Sequence, residues 1–385
     1  MLVQNKKIAI VGGGMGGLTL AKLLQMQNVE VKVYERDVNR EVRVQGTPLD
    51  LHEDSGLEAI KRAGLLEEFH KHYRPIASRM MVLDKTFSVK FSDHDKEKSL
   101  SEICPEIDRA PLRDILLDSL KPDTIVWNSH FISMEKEKNG WLLHFKNGTN
   151  AYADLVVAAD GANSRVRSYL TAEKPVYAGV TLIEGTIYNA EKNAPKLFEF
   201  AKGGKVMAFS DEQMLTYGTK GDGTLMFIAS SRMPENWITE SSIDFKNKDQ
   251  VFEWFKKIYA GWNDQWDELF TSDEAYFIPR PQYYFPFSQT WETQENLTML
   301  GDAAHRMPPF AGKGANLAMQ DAFELAECLT NERNSDIKTV LSHFEKQMQQ
   351  RAAEATKETL ENMEKLHSKI ALESLLQMFS TGSES

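Results

Sequence analysis

The chain contains few of the residues on which several classes of protein depend. Cysteine occurs only at Cys104 and Cys328, so neither a disulfide framework nor a thiolate metal cluster is expected. Acidic residues outnumber basic ones by 56 to 45, which disfavours binding to nucleic acid because phosphate contacts need clustered cations. The sequence has no signal-peptide pattern and no apolar run as long as a membrane span. We therefore expect a cytoplasmic protein that binds neither nucleic acid nor membrane.

Further absences bear on chemistry. We find no Ser/His/Asp or Cys/His nucleophile set and no metal-ligand spacing, so neither a catalytic protein nucleophile nor a metal site is expected. Only one glycine-rich dinucleotide fingerprint occurs. With 385 residues, of which 42% are hydrophobic, the chain is expected to form one or two globular domains.

The fingerprint lies directly after the first apolar run, residues 8–11. It reads Gly12-x-Gly14-x-x-Gly17 and is followed by apolar residues at helical spacing. In such a motif the first glycine allows a tight turn, the second admits a pyrophosphate, and the third lets the helix pack on the strand. A second apolar run ends at Glu35, where a carboxylate can accept hydrogen bonds from the adenosine ribose. These features predict a strand–turn–helix–strand unit that holds a dinucleotide.

A second glycine motif lies near the other end of the chain. Gly301-Asp302 follows a short strand, and an aspartate there can accept hydrogen bonds from the ribityl hydroxyls of a flavin. The following turn precedes a helix and contains further candidate residues: Pro309, Gly312, Gly314, Ala315 and Asn316. Backbone N–H groups at the helix start can stabilise the negative charge of a reduced flavin. The two motifs together predict FAD held by both ends of the chain, with His305 structural rather than catalytic.

Because the two motifs lie at opposite ends of the chain, the cofactor domain is expected to be discontinuous. The middle of the chain alternates short apolar runs with Gly, Asp and Asn turns, which favours an antiparallel sheet. We predict an α/β fold with a Rossmann-type FAD-binding domain at 1–75, 100–174 and 283–338, an inserted antiparallel-sheet substrate domain at 76–99 and 175–282, and a long C-terminal helix at 339–385 that bridges the domains.

A third motif completes a family resemblance. Asp160-Gly161 ends another predicted strand and precedes Ser164, Arg165 and Arg167, which we expect near phosphates; the alternative is a strand-to-helix turn with both arginines on a solvated face. With the two glycine motifs, and in the same order along most of the chain, it resembles the single-component, aromatic-hydroxylase-type (class A) FAD monooxygenases. In that family the Asp-Gly motif serves both the FAD pyrophosphate and a transient NAD(P)H, which fits the single fingerprint. The resemblance implies that NADPH reduces FAD and that dioxygen forms a C4a-hydroperoxyflavin, which hydroxylates the substrate.

Within that family, several stretches most resemble the tetracycline-inactivating monooxygenases. These stretches are residues 33–37, 48–52, 108–113 and 305–312. The resemblance implies that Arg36 lies along the adenine ribose and that Asp50 lies beside the isoalloxazine ring. It also implies that Arg109 and Arg113 reach the FAD pyrophosphate or ribityl chain. A helix-surface salt bridge for Arg113 and a strand-end cap for Asp50 are the alternatives.

The predicted substrate domain departs from that group. Where the tetracycline enzymes carry a Gln, an Arg and a His that face the drug, the resemblance places Glu184, Lys205 and Met226. Lysine lacks the bidentate fork of arginine, methionine lacks a hydrogen-bonding ring, and glutamate adds a charge. Aromatic residues of the same region suit a flat polycyclic substrate or form an ordinary core: Phe198, Phe200, Phe209, Tyr217 and Phe227.

Three functions stay open at this point. The first is tetracycline inactivation, and the second is hydroxylation of another phenolic or polyketide compound. The third is a flavin-binding redox or interaction protein that does not hydroxylate. In each enzymatic case the expected partners are a small-molecule substrate, NAD(P)H and O2, and the chain is expected to be a monomer.

Overall fold

The computed structural model describes residues 1–42, 46–95, 105–333 and 336–381. Cys104 and residues 382–385 of the predicted C-terminal helix lie outside these ranges. The strands are β1 Ile8–Val11, β2 Val31–Tyr34, β3 Leu49–Asp50, β4 Met80–Asp84, β5 Val89–Ser92, β6 Glu106–Ile107, β7 Ile125–Val126, β8 Phe131–Glu137, β9 Gly140–Phe145, β10 Asn150–Ala153, β11 Leu155–Ala158, β12 Val176–Ile187, β13 Lys205–Ser210, β14 Gln213–Thr219, β15 Leu225–Arg232, β16 Ala275–Tyr284 and β17 Leu297–Met299.

The α-helices in the same ranges vary widely in length. They are α1 Met15–Met26, α2 Gly56–Arg62, α3 Leu66–His72, α4 Arg109–Asp118, α5 Ala190–Asn193, α6 Pro195–Ala201, α7 Trp237–Glu240, α8 Lys248–Ile258, α9 Glu268–Thr271, α10 Asp302–His305, α11 Gly314–Thr330, α12 Ile337–Leu366 and α13 Ala371–Thr381.

The chain divides into two compact units. The first unit comprises Met1–Tyr73, Arg109–Val176 and Tyr284–Glu358, and the second comprises Arg74–Asp108, Tyr177–Tyr283 and Thr359–Ser385. Both units are discontinuous in sequence. The assignment of one to the cofactor and the other to the substrate stays a prediction.

A five-stranded parallel sheet lies at the centre of the first unit, in the order β17-β11-β1-β2-β7. β1 and β11 are buried along their whole length, as is usual where helices cover both faces of a parallel sheet. α1 packs closely against α11, because a Cβ at Gly16 would lie only 2.7 Å from the carbonyl oxygen of Ala318. Since all five strands run in one direction, their carboxyl ends meet at one edge.

A seven-stranded sheet forms the second unit, in the order β16-β12-β15-β14-β13-β4-β5. β12, β15, β14 and β13 pair antiparallel, as predicted, but β13 pairs parallel with β4. The sheet is therefore mixed. A parallel pair needs a long crossover connection, and β4 reaches β13 only after the chain has passed through the first unit.

One face of this sheet carries the hydrophobic core of the second unit. Phe227 and Tyr217 on the strands pack with aromatic residues of α8, α9 and the segment between them, including Phe255, Trp266 and Phe270. These side chains are all buried. Tyr217 and Phe227 therefore belong to an ordinary core, one of the two alternatives that the sequence left open for the aromatic residues.

The predicted long C-terminal helix is present but ends at Leu366, and a separate helix, α13, follows. Polar side chains bind the last carbonyl groups of α12. The ring Nδ1 of His367 lies 2.8 Å from the carbonyl oxygen of Met363, and Ser368 Oγ donates to the carbonyl of Lys365 at 2.7 Å. Such local bonds compete with continuation of a helix.

Two kinds of feature are absent from the described ranges. No helix in them is both long and apolar enough to cross a membrane. No group of three or more His, Cys, Asp or Glu side chains in them could hold a metal ion.

Candidate active site

The carboxyl edge of the parallel sheet brings the sequence motifs of the first unit together. Gly12 follows β1, Glu35 follows β2, Asp160 comes shortly after β11, and Gly301-Asp302 comes shortly after β17. Ligands of open parallel sheets bind beyond this edge. We call the motifs at this edge, together with the start of α11, the edge site.

Two of the three fingerprint glycines, Gly12 and Gly17, are required by close backbone contacts. Gly12 has φ +108°, and a Cβ there would lie 2.2 Å from the carbonyl oxygen of Ala159. At Gly17 a Cβ would lie 2.2 Å from the carbonyl oxygen of Gly12. Gly14 instead has nothing within 4 Å of its Cβ position, and no described side chain caps α1, which begins after it. The start of α1 therefore offers open space and N–H groups without helical partners to an anion.

Glu35 is buried and binds the glycine turn. Its Oε2 accepts a hydrogen bond from the N–H of Gly13 at 2.7 Å, and its Oε1 accepts one from the N–H of Asp37 at 3.0 Å. The carboxylate therefore fixes the turn itself. Each oxygen has a second lone pair, so Glu35 can also accept the predicted ribose hydroxyls.

Asp160 caps the turn that follows β11. Its Oδ2 accepts hydrogen bonds from the N–H groups of Arg165 at 2.9 Å and Val166 at 3.5 Å. Its Oδ1 is buried and has no hydrogen-bond partner among the described residues. Burial raises the pKa of this carboxyl above its ordinary value.

The structure corrects the expectation that Arg167 faces phosphates. Its side chain is 5% exposed and its Nη1 donates to the carbonyls of Ala303 and Ala304, both at 3.0 Å. Its Nη2 donates to Gln289, and the guanidinium stacks 3.5 Å from the centre of the Phe285 ring. Burial lowers its pKa to about 10. Arg167 thus ties the Asp160 turn to the short helix α10, while Arg165 is exposed.

Asp302 begins α10 and is exposed at the edge site. A Cβ on Gly314, the first residue of α11, would lie 3.9 Å from Asp302 Oδ1. No described side chain caps α11, so the N–H groups of its first turn lack helical partners. The exposed Pro309 closes the preceding turn, because its carbonyl accepts the N–H of Gly312 at 3.0 Å and Gly312 has φ +66°.

Asn316 holds the segment of Asp50 against α11. Its Nδ2 donates to the carbonyl of Asp50 at 2.8 Å, and its Oδ1 accepts the N–H of His52 at 2.9 Å. The side chain is 1% exposed, so only the backbone N–H of Asn316 is left for the predicted anion contact. Asp50 Oδ1 is buried without a hydrogen-bond partner among the described residues.

The three predicted arginines differ in their surroundings. Arg36 is exposed. The Nε of Arg109 donates to the carbonyl of Thr47 at 2.8 Å. Arg113 is 2% exposed, its Nη1 donates to the carbonyl of Arg40 at 3.0 Å, and its Nη2 lies 3.6 Å from the carboxylate of Asp37. Arg113 is therefore a buried side chain and not part of a helix-surface salt bridge.

These residues fit a dinucleotide that lies along the sheet edge. Gly14 leaves room where a phosphate must approach, and α1 and α11 present N–H groups. The buried oxygens of Asp50 and Asp160 that have no partner among the described residues are acceptors that a cofactor hydroxyl or ring N–H can satisfy.

The comparisons with known proteins decide which dinucleotide. A family model described as an FAD binding domain matches residues 5–359. The chain belongs to this family of FAD-binding proteins. Monooxygenase asqM of Emericella nidulans is 30% identical over 381 residues, which covers 85% of this chain and 84% of that protein. The 3-amino-4-hydroxybenzoate 2-monooxygenase PtmB3 of Streptomyces platensis is 28% identical over 340 residues, covering 85% and 80%.

Solved structures share the fold of this flavoprotein. Klebsiella pneumoniae HpxO, crystallised with FAD and uric acid, superposes with a TM-score of 0.77 at 20% identity, over 97% of this chain and 92% of that one. The tetracycline destructase Tet(51) superposes with a TM-score of 0.71 at 17% identity, over 97% and 94%. Both of these relatives are named monooxygenases, and the flavoprotein is an FAD-dependent, hydroxylating monooxygenase. The alternative of a flavin protein that does not hydroxylate is therefore wrong.

In the second unit of the monooxygenase, the predicted substrate residues share one face of the sheet. Thr186 pairs with Met226, Met226 with Gly218, and Gly218 with Lys205, which makes one row across four strands. Paired residues point to the same face, and Glu184 does so too, because it lies two residues from Thr186. This face is opposite the aromatic core. We call it the polar face.

The two charged residues among the three predicted substrate residues are in ion pairs that the sequence did not reveal. Glu184 Oε2 accepts Arg280 Nε at 2.8 Å, and the Arg280 side chain is 49% exposed. Lys205 pairs with the buried carboxylate of Glu106. Met226 is buried. The charge that glutamate adds at position 184 is therefore balanced within the sheet.

Sequence reasoning also missed a buried acid behind the edge site. Asp321 of α11 binds the N–H of Gly301, the ring of His305 and the guanidinium of Arg351. His305 is 2% exposed, in agreement with the expectation that it is structural. Asp321 lies on the apolar face of an amphipathic helix, where a charged residue is unusual without a partner. Its position in the helical pattern could therefore have predicted a buried, paired carboxylate.

Proposed function

We propose that this monooxygenase uses NADPH and O2 to hydroxylate an electron-rich phenolic or enolic ring compound, with tetracyclines as the first candidates. The observation that carries the proposal is the polar face, on which Glu184, Arg280 and Lys205 present hydrogen-bonding groups beside Met226. Guanidinium and ammonium groups favour the oxygen of an ionised phenol or enol. Such rings are also the ones that an electrophilic oxygen attacks.

In this proposal the edge site holds FAD along its length. The turn at Gly12–Gly14 and the start of α1 bind the pyrophosphate, while Glu35 and Arg36 contact the adenosine ribose. Asp302 would accept hydrogen bonds from ribityl hydroxyls, and the N–H groups of Gly314 and Ala315 would donate hydrogen bonds to the reduced, negatively charged flavin. Bound FAD supplies the redox and oxygen chemistry.

The remaining residues orient these groups. Asn316 holds the Asp50 segment against α11, and Asp160 fixes the turn that we propose also serves NADPH. We propose that Arg109 and Arg113 reach the pyrophosphate or the ribityl chain. Because no protein nucleophile is needed, these residues act by orientation, hydrogen bonding and exclusion of water.

The test is NADPH oxidation by the purified holoenzyme with and without a tetracycline, followed by mass spectrometry of the product. Substrate-stimulated oxidation together with a product heavier by one oxygen atom is expected. Stimulated oxidation that gives only hydrogen peroxide contradicts hydroxylation of that compound.

A second candidate is hydroxylation of a smaller aromatic acid or of another polyketide. It is favoured by the relatives, because a monooxygenase that acts on 3-amino-4-hydroxybenzoate is 28% identical whereas a tetracycline destructase is 17% identical. Product formation from 3-amino-4-hydroxybenzoate, with none from any tetracycline, decides for this candidate.

A further inference from the structure

We propose that Asp321 is a positioning residue for the flavin. It fixes the Gly301–Asp302 turn against α11, so that Asp302 and the N–H groups at the start of α11 contact the same flavin together. The inference rests on the proposed function in one respect, the placement of Asp302 and the α11 start beside the flavin. Asp321 itself has no place in that proposal.

Asp321 makes contacts with three parts of the first unit. Its Oδ2 accepts the N–H of Gly301 at 2.9 Å and lies 2.6 Å from His305 Nε2. Its Oδ1 accepts Arg351 Nη2 of α12 at 2.9 Å. The carboxylate is 0% exposed. One side chain thus joins the start of α10, the end of α10 and a neighbouring long helix.

The backbone at Gly301 needs such a restraint. Gly301 has φ +58° and ψ −146°, a conformation that only glycine adopts readily. A Cβ there would also lie 2.9 Å from the Cβ of Ala318 in α11. The turn therefore lies directly on α11, and Gly301 has no side chain that could fix its conformation. The hydrogen bond from the N–H of Gly301 to Asp321 fixes it instead.

The charges around Asp321 make the bond strong. Burial alone would raise the pKa of Asp321, but His305, Arg351 and the N–H of Gly301 outweigh burial and lower it. The same carboxylate raises the pKa of the buried His305. Arg351 also binds Glu324 at 2.8 Å. Hydrogen bonds to a buried charge are stronger than neutral ones, so this network holds the turn rigidly.

The network controls the distance between the two groups proposed to face the flavin. Asp321 lies about two helical turns after Gly314 on α11, and its partner Gly301 directly precedes Asp302. A Cβ on Gly314 would lie 3.9 Å from Asp302 Oδ1. If the hydrogen bond to Gly301 is lost, Asp302 and the start of α11 are no longer held at a fixed distance from each other.

The experiment compares D321N with E327Q in the full-length holoenzyme. Glu327 is on the same helix and pairs with Arg62 at the surface, so E327Q is the matched control. FAD dissociation constants, the visible flavin spectrum and the flavin midpoint potential are measured. For D321N we expect an FAD dissociation constant raised about tenfold, a shifted spectrum and a more negative potential, because the reduced flavin loses N–H contacts. E327Q should match the wild type.

Two further variants separate the possible failures. D302N should weaken FAD binding as D321N does; if D302N binds FAD normally, Asp302 is not at the flavin and both the placement and the inference fail. If D302N weakens binding but D321N matches E327Q in all three measurements, only the inference is overturned.

R351Q removes one partner of Asp321 but leaves the hydrogen bond between Asp321 and the N–H of Gly301. Because the Arg351 side chain is partly exposed, we expect R351Q to fold and to shift the flavin midpoint potential in the same direction as D321N, but by less. An unchanged potential in R351Q, with D321N unfolded, also overturns the inference.

Discussion

The edge site of the first unit and the polar face of the second unit are built in different ways. At the edge site the contacts involve the backbone: a Cβ at Gly12 or Gly17 would lie 2.2 Å from a carbonyl oxygen, and the Glu35 carboxylate binds backbone N–H groups. On the polar face side chains make the contacts, as in the pairs Glu184–Arg280 and Lys205–Glu106. A backbone site tolerates little change, whereas paired side chains can be exchanged without altering the sheet. This difference suits a cofactor that is the same throughout a family and substrates that are not.

The largest effect is expected for Gly17→Ala. The added Cβ would overlap the carbonyl oxygen of Gly12, so α1 must shift from β1 at a cost of about 3 kcal/mol. We expect loss of stability in urea unfolding and loss of bound FAD, measured from flavin absorbance.

Gly14→Ala is the matched variant, since nothing lies within 4 Å of its Cβ position. It should leave the apoprotein's stability unchanged while weakening FAD binding about tenfold, because the methyl group occupies the space predicted for the pyrophosphate. Normal FAD affinity in Gly14→Ala would show that the pyrophosphate does not approach this residue.

The next largest effect is expected for Lys205→Met in the second unit. Glu106 is buried and loses the ammonium beside it, and breaking such a pair is destabilising. Because Lys205 is 38% exposed, solvent screening reduces the expected loss to about 1–2 kcal/mol. Urea unfolding measures it, and FAD content should stay unchanged.

The double variant Lys205→Met with Glu106→Gln is the control. It removes the buried charge together with its partner and should recover part of the lost stability. A double variant less stable than Lys205→Met would show that Glu106 is stabilised mainly by its other contacts.

The same contrast governs what the sequence could predict. Gly12, Gly17 and the run before them follow a local pattern with a local physical reason, so their position at the edge of the sheet could be predicted from the sequence. The partners Arg280 and Glu106 could not, because they are set by the register of strands distant in sequence. The parallel pairing of β4 with β13 was missed for the same reason. Arg167 was misplaced because a sequence shows which charges follow a strand but not which of them the fold buries.

Two buried histidines give a prediction in which the units respond oppositely to pH. In the first unit the pKa of His305 is raised, because Asp321 outweighs the effect of burial. Its contribution to stability is complete below the unfolded value of about 6.5 and is lost as the pH rises through the raised pKa. In the second unit burial lowers the pKa of His367, which accepts a hydrogen bond from Ser230 Oγ at 2.6 Å. Its contribution is complete above about 6.5 and is lost as the pH falls through the lowered pKa.

Hydrogen exchange measured peptide by peptide, corrected for the intrinsic exchange rate, separates the two units. Protection of α10 and α11 should decline on the alkaline side and protection of β15 and the end of α12 on the acid side. His305→Gln and His367→Gln should each abolish one response, because the titrating ring is then absent. If protection in both units changed with pH in the same direction, the raised pKa of His305 and the lowered pKa of His367 could not both be right.

The smallest effect on stability, and the sharpest on substrate choice, is expected for Arg280→Ala. Its guanidinium is half exposed and pairs with Glu184, so its loss should cost less than about 1 kcal/mol. FAD affinity and NADPH oxidation without substrate should not change, since neither depends on the polar face. The KM of the hydroxylated substrate should rise about tenfold if Arg280 binds its ionised oxygen. Arg280→Lys should restore only part of the affinity, because lysine lacks the bidentate fork.

Glu184→Gln should lower that KM, because it frees the guanidinium of Arg280 for the substrate. An unchanged KM in all three variants would mean that the pair serves only the sheet, and that substrate selection lies elsewhere in the protein.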